Sequence, residues 1–206
     1  MQKNAPIEID NKYLNSKIME KQTINTIPSE GNFTLNKVKL VKNGGLDVHF
    51  EVVEVFGDET YTNKYHIESA KDIHPDLAKQ FKLLRPIMGR IFNLTSYLSM
   101  VECKDFNASK AQVDYARDFA SKVLENIEVR GVSLSGKDDN IGVVLTGQYM
   151  VSNNMQTCIN SPKIKIDGDH FGFEQDLYDI LSMIESEVYA FLFKGKKAQL
   201  ELFGDE

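Results

Sequence analysis

Tryptophan is absent from the 206-residue chain, cysteine occurs twice and proline five times. Cys103 and Cys158 lie far apart and form no C-x-x-C. That spacing argues against a disulfide framework and against a cysteine-built zinc site, and reduced, buried thiols are expected instead. No apolar run reaches the roughly eighteen residues of a membrane-spanning helix. The opening M-Q-K-N-A-P-I-E-I-D lacks the apolar stretch and small-residue cleavage site of a secretory signal, so a cytoplasmic protein is expected. Walker A, G-x-G-x-x-G, H-E-x-x-H and G-x-S-x-G are all missing, and with them the usual marks of nucleotide binding, zinc proteolysis and serine hydrolysis. A non-enzymatic protein without a cofactor is the expectation.

Positive charge is also in short supply. The 24 Lys and Arg stand against 30 Asp and Glu, for a net charge of -6. This argues against coating nucleic acid by bulk electrostatics, although a local basic patch remains compatible with it. The 42% apolar and 26% charged residues are ordinary globular composition, enough to bury a core.

Residues 1–31 show neither a period of two nor one of 3.6 and read as an N-terminal arm. From Phe33, F-T-L-N-K-V-K-L-V-K, an N-G-G turn and L-D-V-H-F-E-V-V-E-V-F read as two hairpin-linked strands. Gly57 and Asp58 then turn into a third, E-T-Y-T-N-K-Y-H-I. Leu77, Phe81, Leu84, Met88 and Ile91 repeat at helical spacing through H-P-D-L-A-K-Q-F-K-L-L-R-P-I-M-G-R-I-F, and Pro86 should kink this helix or split it near Leu83. A second amphipathic helix is expected over 109–127, with Val113, Ala116 and Ala120 on its apolar side. Strands return at I-E-V-R-G-V-S-L-S, I-G-V-V-L-T-G-Q-Y-M-V and M-Q-T-C-I-N-S-P-K-I-K-I. A last helix over about 173–194 is closed by Gly195. The predicted class is α+β, antiparallel meanders with helices on one face, in the order βββ-α(α)-βββ-α. One domain over 32–195 is favoured over a diverged β-β-β-α duplication, which D-L-A-K-Q-F-K-L-L and D-L-Y-D-I-L-S-M-I suggest only weakly.

Few residues carry recognisable chemistry. In D-G-D-H-F-G-F-E, Asp167, Asp169 and Glu174 have the oxygen donors for a divalent cation, but the spacing is not that of an EF-hand and acids are favoured before a helix in any case. No metal site is assigned. His49, His66, His74 and His170 have no i, i+4 spacing and receive no role. Lys79, Lys82 and Arg90, with Arg85 nearby, form a basic helix face able to meet phosphates. Counting from a three-residue N-G-G loop sets Lys39 across from His49 and Lys37 across from Glu51, which would neutralise the strand lysines. No aromatic residues interleave with these bases as a stacking platform would require.

The segment 196–206 is distinctive, because Gln199, Leu200, Leu202 and Phe203 put apolar anchors after the last helix. Q-L-E-L-F reproduces the Q-L-x-L-F pattern of peptides and resembles the bacterial sliding-clamp-binding motif. The resemblance implies that Gln199 hydrogen-bonds at a groove entrance, Leu200 packs along it, and Leu202 and Phe203 fill a hydrophobic pocket. The order of the meanders, together with H-P-D-L, G-V-S-L-S-G-K-D-D-N-I-G-V-V-L-T-G and E-V-Y-A-F-L-F-K-G-K-K-A-Q-L-E-L-F, resembles small uncharacterised bacteriophage and prophage proteins over 33–206. That likeness implies DNA metabolism in a bacterial cytoplasm. The expected partner is a bacterial sliding clamp, and the alternative is a body that binds single-stranded DNA with the tail as a protein-interaction end.

Overall fold

The computed structural model describes residues 27–42, 44–136, 141–152, 155–166 and 172–196. A short 3-10 turn, Glu30–Asn32, leads into β1 (Phe33–Leu40), β2 (Leu46–Phe56) and β3 (Glu59–Ser69). Four helices follow: α1 (Pro75–Leu83), α2 (Arg85–Ile91), α3 (Ser96–Val101) and α4 (Lys110–Glu125). Then come β4 (Ile127–Ser135), β5 (Gly142–Ser152), β6 (Met155–Asn160), β7 (Ile164–Lys165) and α5 (Glu174–Phe193). The strands pair antiparallel, and the class is α+β as the sequence predicts. Contacts divide the chain into two units. One runs up to Leu77 and resumes at Ile184, and the other is Ala78–Met183.

In the first unit β1, β2 and β3 form a meander. Strict alternation along β2 buries Leu46, Val48, Phe50 and Val52 while Asp47, His49 and Glu51 face away from the core. The β2–β3 turn needs only Gly57 and Asp58. Phe56 pairs with Glu59, and Gly57 sits at φ 63°, the left-handed conformation that a first turn residue of this kind requires. From Ile184 onward α5 adds Tyr189 and Phe193 to an aromatic cluster, with Phe33–Tyr189 centroids 5.5 Å apart and Phe50–Phe193 5.8 Å apart. Edge-to-face geometry in both pairs sets ring edges against ring faces, the favourable quadrupole arrangement. A register shift between Leu35 and Lys37 interrupts β1, and Glu185 Oε1 of α5 accepts the Leu35 N–H at 2.8 Å.

A longer turn corrects the lysine register. Leu40, not Lys42, is the last residue to pair before the loop, so Lys37 opposes His49 and Lys39 opposes Asp47. Glu51 instead receives Asn36 Nδ2 at 3.0 Å and Lys64 Nζ at 2.9 Å. The loop is five residues long because Val41 and Gly45 close it with their own hydrogen bonds, Val41 N–H to Gly45 O at 3.0 Å and Gly44 N–H to Val41 O at 3.1 Å.

The expected helix over 74–92 is divided. Pro86 stands in the first turn of α2, where a missing N–H is tolerated, and Leu84 separates the two helices. Leu94 N–H to Gly89 O (2.9 Å) and Asn93 N–H to Arg90 O (2.9 Å) finish α2, with Asn93 left-handed at φ 57°. The short helix α3 follows without having been expected. Helix α4 begins with a capping box: Ser109 Oγ accepts the Gln112 N–H while the Gln112 side chain accepts the Ser109 N–H.

The strand expected over 155–166 is broken. Buried Ser161 bonds Leu145 twice, N–H to Leu145 O at 2.8 Å and Oγ from Leu145 N–H at 2.9 Å, and Pro162 then turns the chain so that β7 pairs with the start of β5. Both cysteines are exposed and free, contrary to the expectation of buried thiols. Cys103 lies in the turn after α3, and Cys158 is on β6, an edge strand whose residues are exposed on both faces.

Candidate functional site

The end of α5 is the root of the segment that the sequence singles out. Gly195 adopts φ 71°, and the Ala190 carbonyl accepts the N–H groups of both Lys194 (3.0 Å) and Lys196 (3.1 Å), which stops the helix. Lys196 Nζ lies 2.8 Å from Asp76 Oδ2 and 2.8 Å from Glu187 Oε2, and the hydrogen bonds that it donates to these two carboxylates hold its ammonium above the ordinary lysine range. Lys194 pairs with Glu30, whose hydrogen bond likewise raises it, and its Nζ sits 5.2 Å over the Tyr189 ring. Tyr189 Oη donates to the Pro28 carbonyl. Residues 28–30 and 194–196 are thus tied within one unit. Gln199, Leu200, Leu202 and Phe203 lie outside the described residues.

The basic residues are distributed over two helices rather than one. Lys79 and Lys82 on α1 and Arg90 on α2 are exposed, and Arg85 on α2 is half-buried. None of the four makes an ion pair among the described residues. Lys79, Lys82 and Arg90 are thus solvated cations without an ion-pair partner among the described residues, on an acidic protein. Asp167 and Asp169 lie outside the described residues, and Glu174 is buried at the start of α5, where its Oε2 accepts the Phe173 N–H at 3.0 Å.

The outward face of the β1–β3 meander carries chemistry that was not assigned from the sequence. His49 and His66 are direct cross-strand partners on β2 and β3, with rings stacked at a centroid distance of 4.1 Å and 7° from parallel. Asp47, two residues before His49, points to the same face. Its Oδ1 accepts from His66 Nε2 at 2.8 Å and lies 3.4 Å from His49 Nε2. Lys37 approaches the other oxygen, Oδ2, at 3.4 Å, and Glu68 Oε1 lies 3.7 Å from His66 Nε2.

Charge and burial act together here. Burial pushes the Asp47 carboxyl towards its neutral form, but the His66 hydrogen bond, Lys37 and His49 outweigh it, and the carboxyl stays below its ordinary range. Burial, and then His66 and Lys37, hold the His49 imidazole below its ordinary range against the opposite pull of Asp47 and Glu68. The signal in the sequence was the turn. Counting outward from Gly57–Asp58 pairs residue 49 with 66, and D-x-H on β2 puts both donors on one face.

A second group, His74, Asp76 and Glu187, also gathers donor atoms within 4.8 Å of one another. The Lys196 ammonium already occupies the space between its two carboxylates. No protein-family profile matches the chain, and neither the curated proteins nor the solved structures yield a match.

Proposed function

We propose that the protein is a non-enzymatic, phage-type accessory or effector of DNA metabolism that docks on a bacterial sliding clamp through Gln199, Leu200, Leu202 and Phe203. The observation that carries this reading is the Q-L-E-L-F sequence. A short linear motif needs apolar anchors for a preformed pocket and a polar side chain to fix register, and these four residues supply both. The root of the segment supports it, since Gly195 ends α5 and the ion pairs of Lys194 and Lys196 fix the last described residues to the body. The α+β body is then cargo brought to the clamp, or a block that competes with the host's own clients. Titration of purified clamp with the intact protein and with a version lacking 198–206 tests the reading. Loss of binding in the shortened protein supports it, and equal affinities would remove it.

A second reading rests on Lys79, Lys82, Arg85 and Arg90. Their charge suits the phosphates of single-stranded nucleic acid, with the tail serving as a protein-interaction end.

A further inference from the structure

We propose that Asp47, His49 and His66 form a binding site for a divalent transition metal ion of the zinc class on the outward face of the β1–β3 meander. The three donor atoms, Asp47 Oδ1, His49 Nε2 and His66 Nε2, lie within 4.8 Å of one another. Bonds of about 2.0–2.1 Å in a tetrahedral shell separate ligand atoms by about 3.3 Å. The His49–Asp47 distance of 3.4 Å already meets that spacing, and the 2.8 Å between His66 and Asp47 is a hydrogen bond that lengthens slightly when a metal replaces the proton.

Two imidazoles and one carboxylate are borderline ligands. They favour zinc, nickel or copper over calcium and magnesium, which prefer oxygen donors throughout. The site is placed by the backbone: direct pairing of residues 49 and 66 puts the two rings side by side, and the two-residue repeat brings Asp47 beneath them.

Its surroundings distinguish it from the acidic group at the root of the tail. There, the Lys196 ammonium lies 2.8 Å from both carboxylates and is already their cation. Here, the nearest ammonium, Lys37, sits on Oδ2 and leaves Oδ1 turned towards the two imidazoles. Glu68, whose carboxylate oxygen is 3.7 Å from His66 Nε2 and whose side chain is largely exposed, is close enough to complete the shell, and water fills any remaining position. An ion so held cross-links β2 to β3.

The test is calorimetric titration of the tag-free, chelator-treated full chain with zinc chloride. One equivalent of Zn2+ is expected to bind. The double substitution His49→Gln and His66→Gln removes two ligands and should weaken that binding by more than the roughly 100-fold that loss of an outer-shell partner can cost. His74→Gln should leave it unchanged, and Lys37→Met should tighten it by removing a competing cation from Asp47. Circular dichroism of the double variant checks its fold, which both half-exposed rings should permit. A readout on the unmodified protein guards against misfolding: substoichiometric Cu2+ should broaden the imidazole resonances of His49 and His66 first. No heat with Zn2+, unchanged binding in the folded double variant, or broadening confined to His74 or His170 would overturn the proposal.

Discussion

His49 and His66 face each other across the β2–β3 ladder with their rings 4.1 Å apart and 7° from parallel, and Asp47 Oδ1 reaches the Nε2 atoms of both. The relationship follows from one short turn. With Gly57 and Asp58 as the only unpaired residues, every position on β2 has a fixed opposite on β3, and no slip is available without turning the buried Phe50 and Tyr65 outward. The same register therefore builds the core on one side and the polar cluster on the other.

The core side is the more sensitive to substitution. Phe50 is fully buried between Phe33, Tyr65 and Phe193. Phe50→Ala is expected to cost about 3–5 kcal/mol, since it removes the ring from water-excluded packing and leaves a cavity. Urea unfolding would show this as a lower midpoint. A loss under about 1 kcal/mol would mean that the cluster is not packed as described.

In the second unit, Ser109→Ala removes one half of the capping box of α4 and is expected to cost about 1 kcal/mol. Because the Ser109 side chain is exposed, no cavity contributes, and Ser109→Asn should recover most of the loss. Equal stability of the alanine and asparagine variants would contradict the cap.

Much of this architecture was legible beforehand, and the failures have particular causes. The helical spacing of Leu77, Phe81, Leu84 and Met88 named a buried face correctly, with Ile91 at its end only half-buried, because burial imposes that period directly. The lysine register failed because five loop residues, not three, precede β2, and a bulge at Asn36 then shifts the pairing of Phe33, Thr34 and Leu35 as well. Neither leaves a mark in composition. Helix α3 is a short segment with no room for a repeat, and the edge position of β6, which exposes Cys158, is a property of the whole sheet. The histidine cluster was hidden for a related reason. Seventeen positions separate its two rings in sequence, and only the strand pairing unites them.

The root of the tail has a distinct pH signature. Lys196 gains two carboxylate partners on folding, so its folded pKa lies above its unfolded one. Its contribution to stability is fully present below the ordinary lysine value near ~10.4 and is lost as pH rises through the raised folded value. The stability difference between the wild type and Lys196→Met, measured by urea unfolding, should stay constant from about pH 7 to about pH 9 and close only above ~10.4. A difference that closes below about pH 9 would contradict the Lys196–Asp76–Glu187 contact.

Binding of single-stranded DNA through the basic helices predicts a steep salt dependence. Removing one phosphate-binding cation should reduce the log–log slope by about 0.7, so replacing Lys79, Lys82 and Arg90 with Gln should flatten it by about 2. Filter binding across a salt series measures this. Absence of binding at low salt, or a slope unchanged in the triple variant, discards the second reading.

The measurement that bears most directly on the proposed function is the affinity of a purified bacterial sliding clamp for the intact protein and for Phe203→Ala. Docking through the Q-L-E-L-F segment predicts a loss of about 2 kcal/mol or more in the variant, the cost of removing a pocket-filling anchor. A synthetic peptide of residues 198–206 should also displace the intact protein from the clamp. Identical affinities for the two proteins, with no displacement by the peptide, would contradict the account.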